Sequence, residues 1–236
     1  METKLNYKRT FLIGLAFLSI CSFWQMYDNI IPLILQNTYH LGGTMTGAVM
    51  ALDNVLAIFL LPVFGTLSDK VHTKLGRRMP FIVSGTILAV IFMMLLPMID
   101  NAEKARWGTG ESFSNQVIFL AVLFFTLVSM GLYRSPAVAL MPDVTPNHLR
   151  SRANAVINLM GAVGGVYALI MIKVLVGKGE TPDYLPLFAS IAAVMAIAVG
   201  ILVMTIRENK LREEVEKAEA VNTEKVEEKA IAEGVE

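Results

Sequence analysis

Asp28, Asp53 and Arg134 are charged residues set in long apolar stretches, where charge is costly. A charge at the centre of a bilayer costs on the order of 3 kcal/mol on insertion scales, so such residues normally face a bundle interior or a wet cavity. A carboxyl held there is the kind of group that takes up and releases a proton or holds a small cation. Asp28 and Asp53 are therefore the candidates for proton or cation coupling. The structural alternative for each is an interhelix hydrogen bond or a salt bridge to Arg134. On the same stretch as Asp28, Trp24, Gln25 and Asn29 fall at helical spacing, so donors, acceptors and a flat ring converge on one side. Sugars need that mixture; the alternative is that Trp24 packs against neighbours and Gln25 bonds across helices. Arg134 either binds substrate or holds a carboxylate. Asn158 is a further candidate for the cavity wall, although Asn154, Asn158, Gly161 and Gly165 lie near one stripe that also permits close helix packing.

A second group sits where apolar stretches end. Gly65-Thr66-Leu67-Ser68-Asp69-Lys70 is followed, after a short loop, by Leu75-Gly76-Arg77-Arg78-Met79-Pro80. Gly65 lets two helices approach closely, Asp69 marks a helix end at the membrane surface, and Arg77 and Arg78 offer planar donors to carboxylates or helix-terminal carbonyls. Such pairs lock one face of a bundle shut and release it. Asp143 and Arg150, at the end of a later apolar stretch, are their expected partners. The alternative is that these cations only set topology.

The elements that must position these groups follow from composition. The chain has 236 residues, 55% hydrophobic and 17% charged, whereas soluble domains carry roughly 25% charged residues. Its mean hydropathy is +0.58, an apolar surplus that needs a non-aqueous solvent. Crossing about 30 Å of hydrocarbon takes about 20 apolar residues. Windows of that kind run from Phe11 to Leu35, Thr44 to Leu67, Pro80 to Met98, Gln116 to Leu140, Ala153 to Val176 and Leu185 to Ile206. Their uninterrupted length excludes the short alternating strands of a barrel, so the fold class is all-α, a polytopic bundle of six transmembrane helices. The first window is too long for a signal-peptide core and no small-residue cleavage site follows it, so it reads as a retained helix.

Lys and Arg give the orientation. One side collects Lys4, Lys8, Arg9, Lys70, Lys74, Arg77, Arg78, Arg150, Arg152, Arg207, Lys210 and Arg212. The other holds Lys104, Arg106 and Lys178, with Lys173 near a helix end. Both termini are therefore assigned to the cytoplasm of a cell membrane. The third and sixth windows contain no ionisable residue, which lets them face lipid all round, and the first, second, fourth and fifth are expected to surround a cavity. After Ile206 the chain turns Glu- and Lys-rich. Residues 1–206 read as the bundle and 207–236 as a charged cytoplasmic tail or linker.

The loop after the second window resembles the signature G-x-L-[SA]-D-[RK]…G-R-R of the major facilitator superfamily. The insertion from Lys70 to Leu75 makes it similar to the sugar:cation symporter branches, the glycoside–pentoside–hexuronide carriers and the sucrose-type carriers. The segment Tyr133-Arg134-Ser135-Pro136-Ala137-Val138-Ala139-Leu140-Met141-Pro142-Asp143 resembles the P-x-x-A-L-x-x-D pattern of the sucrose type. Plant members place their arginine about one turn later than Arg134, where this chain has Val138. The resemblance covers residues 5 to 206, the first half of such a carrier. It implies substrate held between two six-helix repeats that rock against each other, so a second half or a second copy is the expected partner.

The expectation is thus a half or truncated secondary transporter for proton- or sodium-coupled uptake of a sugar or glycoside. Besides substrate and ion, the lipid bilayer is its partner; no cofactor, metal or nucleic acid is called for. The rivals are a non-transporting scaffold or receptor and, more distantly, an intramembrane aspartyl protease. Tyr27-Asp28 fits half of the protease signature, but Met50-Ala51-Leu52-Asp53 does not supply its G-x-G-D. His40, His72 and His148 all fall in loops, which removes an intramembrane zinc site, and an enzyme is not expected.

Overall fold

Each apolar window becomes one helix, and each helix overruns or closely matches its window. The structure, a computed structural model, describes residues 5–106, 112–177, 179 and 182–232, and for 112–114 and 221–232 the backbone alone. Lys4 and Lys178, counted above for orientation, lie outside the described residues. The order is α1 (Tyr7–Asn37), α2 (Gly43–Lys70), α3 (Met79–Ala105), α4 (Ser112–Asp143), a short 3-10 turn (Asn147–Leu149), α5 (Arg150–Leu175), α6 (Leu185–Thr205) and α7 (Glu208–Ala232). Six of the seven α-helices are long and apolar enough to cross a membrane. Among the described residues there is no β-strand, as expected for a chain whose backbone must satisfy itself in lipid.

The start of α1 is fixed by Asn6, whose side-chain oxygen accepts from the Arg9 amide at 3.1 Å. That helix is the hub. Ile13, Ala16, Ile20, Phe23, Met26, Tyr27, Ile30, Ile31, Ile34 and Leu35 are all buried, and α2, α4, α5 and α6 all lie against it. Hydrocarbon gives apolar helices no preference among apolar neighbours, so close contacts and hydrogen bonds must set the register. On the α1–α5 seam, Ser22 Oγ donates to the Leu18 carbonyl at 2.8 Å and the Gly164 carbonyl at 2.9 Å. A Cβ at Gly164 would overlap the Leu18 backbone. Between α3 and α4, a Cβ at Gly85 would meet the Tyr133 amide. Tyr133 in turn carries its hydroxyl across to Ser19 Oγ at 2.6 Å and the Ala16 carbonyl at 3.1 Å, tying α4 to α1.

The third and sixth windows, free of charge and so able to face lipid all round, do not do so. α3 buries Ile82, Ala89, Met93 and Leu96, α6 buries Leu187, Phe188, Ile191, Met195 and Leu202, and both pack inward. An absence of charge permits lipid exposure but does not require it. α2 is instead the outlying helix: of its residues only Thr46 and Ser68 are buried, and Val55, Ile58, Phe59 and Val63 are exposed. α3 also continues past its window, carrying Asp100 and Glu103 into buried positions.

The glycine seam makes a sharp expectation. Gly164→Ala should lower the unfolding temperature of the detergent-solubilised chain, overpacking costing roughly 1–3 kcal/mol. Gly200→Ala, at a position with nothing within 4 Å of its Cβ, should leave it unchanged.

Candidate functional site

Helical spacing on α1 sends Trp24, Gln25 and Asp28 toward α5. There they meet Asn158, Gly161, Ala162 and Gly165 in a cleft of about 420 Å³, with Phe17, Cys21 and Leu169 completing its walls. Gly165 keeps the α5 wall low beside Gln25, whose side-chain oxygen would lie 3.7 Å from an added Cβ. Asp28 is exposed in the bundle and Gln25 half-buried. Asn29 points elsewhere: its side-chain amide donates to the Gln25 carbonyl at 2.7 Å, outside the cleft.

Asp53 and Arg134 lie on the other side of Trp24. They line a narrow crevice of about 20 Å³ between α1, α2 and α4, walled by Leu56, Leu60, Leu61 and Leu127. The Arg134 guanidinium carbon stands 5.4 Å from the centre of the Trp24 ring, a cation–π contact. Among the described residues no carboxylate lies within 4.0 Å of Arg134, so the salt bridge left open by the sequence is not formed. Asp53 accepts from the Asn54 side chain at 3.0 Å. The two aspartates thus occupy adjoining clefts divided by one indole ring. That ring packs edge-on against Phe23 at 5.3 Å and Tyr27 at 5.4 Å, and the buried Trp24 Nε1 and Tyr27 hydroxyl have no hydrogen-bond partner among the described residues.

The group at the helix ends comes together more tightly. Arg78, 5% exposed, donates from Nε to Asp143 at 3.0 Å and from Nη1 to the Gly65 carbonyl at 3.1 Å and to Ser68 Oγ; its Nη2 meets Asp69. Arg77 joins Asp143 at 2.9 Å and Asp69 at 3.6 Å. At Gly65 an added Cβ would lie 3.3 Å from Ser135 Oγ on α4. Arg150 contributes differently. It donates to the Pro142 carbonyl at 2.8 Å and the Thr145 carbonyl at 3.2 Å, closing the end of α4 beside Asp143 without pairing to an acid.

Glu208 completes this end and was not singled out from sequence. Its carboxylate is fully buried and accepts from the backbone amides of Arg77 at 3.0 Å, Arg78 at 3.0 and 3.1 Å, and Met79 at 3.1 Å. An anion at the first turn of α3 satisfies amides that have no partner within the helix and meets the positive end of its dipole. Gly76 has φ +124° and a Cβ there would overlap this carboxylate, so both its conformation and its emptiness are required. The sequence signal is slight: one acid directly after a membrane helix, in a basic flank.

The opposite end holds a second buried polar group. Asp100 accepts from Lys104 Nζ and Thr38 Oγ1, both at 2.6 Å, while Lys104 also reaches the Pro182 carbonyl at 2.6 Å and lies over the Tyr184 ring. Asn101 donates to Asp183 at 2.7 Å and the Leu185 amide does so at 2.9 Å, holding the Asp183 carboxyl below its usual range. The ends of α1, α3 and α6 are thereby joined.

A family model described as Major Facilitator Superfamily matches residues 13–233. The sucrose transport protein SUC4 of Arabidopsis thaliana is 34% identical over 116 residues, which are 46% of this chain and 22% of that protein. Sucrose transport protein SUT3 of Oryza sativa subsp. japonica is 26% identical over 130 residues, 52% of this chain and 26% of that protein. Sucrose transport protein SUC3 of Arabidopsis thaliana is 27% identical over 120 residues, 48% and 20%. The match therefore spans about a quarter of these relatives' length or less.

The burial pattern ranks the helix-end contacts. Asp69 is half-exposed and its pairs are worth about 0–1 kcal/mol, whereas removing a partner from buried donors costs about 1–3 kcal/mol. Glu208→Ala should therefore destabilise the chain by that larger amount and free the start of α7 to proteolysis. Glu213→Ala, at an exposed position, should do neither.

Proposed function

We propose, on the premise that the chain belongs to the major facilitator superfamily, that it forms one six-helix wall of a secondary transporter for a sugar or glycoside. The superfamily is one of transporters, and the six spanning helices make the chain a multi-pass membrane protein. The observation that carries the reading is the gathering of an indole, an amide pair and a carboxylate, Trp24, Gln25, Asn158 and Asp28, in one cleft of about 420 Å³. A ring face and convergent donors and acceptors suit a hydroxylated ring. The named activity of the sucrose transport proteins supports the same substrate class.

Coupling is assigned to Asp28 and Asp53. Each borders Trp24, so a proton or cation at either carboxyl is felt at the ring that substrate covers. Arg134, held against that ring, sets the charge balance of the Asp53 crevice. The ion-paired end, Gly65, Asp69, Gly76, Arg77, Arg78, Asp143 and Arg150, acts as the gate on the cytoplasmic side of a cell membrane, the side on which the basic residues place both termini. Residues 207–236 serve as a cytoplasmic tail or inter-half linker, anchored to the gate through Glu208. One wall cannot alternate access by itself, and the exposed apolar face of α2 supports a second six-helix half, or a second copy, as its partner.

Proton-coupled accumulation tests this directly. In the assembled transporter, Asp→Asn at the coupling position should abolish accumulation of sugar against a gradient while leaving sugar exchange intact. Measuring radiolabelled uptake and counterflow for both variants separates the two roles. Accumulation by both Asp28→Asn and Asp53→Asn at the native rate would refute the coupling assignment.

A further inference from the structure

The first turn of α1, the end of α6 and the start of α7 meet in a cleft of about 280 Å³ that the transport reading does not use. Its walls carry Lys8, Arg9, Arg207 and Lys210, with Glu214 the one carboxylate and Leu12 and Leu211 apolar. Arg9 is paired with Glu214 at 3.1 Å. Among the described residues Lys8, Arg207 and Lys210 have no carboxylate within 4.0 Å, so three cations face the cleft uncompensated. Both spanning helices that form it end here, α1 at Tyr7 and α6 at Thr205, which sets the cleft at the membrane–water boundary.

An apolar groove lies at the same end of α6, on its α3 side. Between α3 and α6, Val83, Ile87, Ile91, Val199, Val203 and Met204 line about 440 Å³ of almost wholly apolar space. It ends at Met204, which is 80% exposed, one residue before Thr205 begins the basic cleft. Cations at the boundary with a hydrocarbon groove beside them match a molecule that is anionic at one end and apolar along its length.

We propose that this is a binding site for an anionic phospholipid, its phosphate held by Lys8, Arg207 and Lys210 and an acyl chain laid in the α3–α6 groove. A free phosphate would meet the same cations but has no use for the groove. Basic pockets between membrane helices at the cytoplasmic boundary are suited to such headgroups. Because α7 begins in this cleft and Glu208 begins α7, a lipid bound here braces the helix that caps α3. The site stands independently of what the bundle transports.

The test uses the purified full chain in a neutral detergent and follows thermal unfolding with dioctanoyl phosphatidylglycerol, dioctanoyl phosphatidylcholine or inorganic phosphate. Phosphatidylglycerol should raise the unfolding temperature by a few degrees, and the other two should not. The Lys8→Gln/Arg207→Gln/Lys210→Gln variant should keep the lipid-free value and lose the rise. Lys70→Gln/Lys74→Gln, which removes two cations from the α2–α3 loop, should retain it. An equal rise in the triple variant, a rise with phosphatidylcholine of the same size, or a rise with inorganic phosphate alone would overturn the proposal.

Discussion

Arg78 is the constraint on which the arrangement depends. Its guanidinium is buried where α2, α3 and α4 end together, and its own amide rests on the Glu208 carboxylate. A buried charge that loses one partner costs about 3–5 kcal/mol, so Asp143 and the Gly65 carbonyl cannot drift from it independently. Three helices and the start of a fourth are thereby referred to one residue. In hydrocarbon this matters more than in water, because apolar helices have little reason to prefer one another over lipid. The glycine contacts at Gly164 and Gly85 and the Tyr133–Ser19 hydrogen bond supply the remaining fixed points along the helices.

The two ends of the bundle are built unlike each other. At the Arg78 end the acids come from different helices, so the contacts break if α2 and α4 part from α3. At the other end the ion pair of Asp100 and Lys104 lies within α3, and Thr38, the Pro182 carbonyl and the Tyr184 ring bind it to neighbours. An ion pair inside one helix survives helix movement; pairs between helices do not. That difference is the reason for proposing the Arg78 end, and not the Asp100 end, as the gate.

Much of this was readable from residue types. Six windows of apolar residues gave six helices, and the spacing of Trp24, Gln25 and Asp28 was enough to put them on one face. Asp69, Arg77 and Arg78 stood out in the sequence as a carboxylate and two cations at neighbouring helix ends, and the fold brings them within ion-pair distance. What escaped was tertiary. Nothing in the spacing says that α5 and α2 meet α1 on opposite sides of Trp24, which puts Asp28 and Asp53 in separate clefts. The window for the third helix stopped at Met98, short of the charged residues, whereas Asp100 and Glu103 stay inside because Thr38, Lys104 and Asn115 satisfy them. Glu208 reads as one acid among many until the first turn of α3 is seen to lie on it.

The central claim is that contacts between helices at the Arg78 end hold the cleft closed on that side. Cys21, the one cysteine of the chain, lines the cleft and reports on it without an introduced cysteine. The decisive measurement is the rate at which a membrane-impermeant maleimide, supplied from the Arg78 side of sealed vesicles, alkylates Cys21 in the assembled transporter. Asp143→Asn removes a charge shared by Arg77 and Arg78 and should raise that rate severalfold over the native protein. An unchanged rate, with Cys21 still reactive in detergent, would contradict the account.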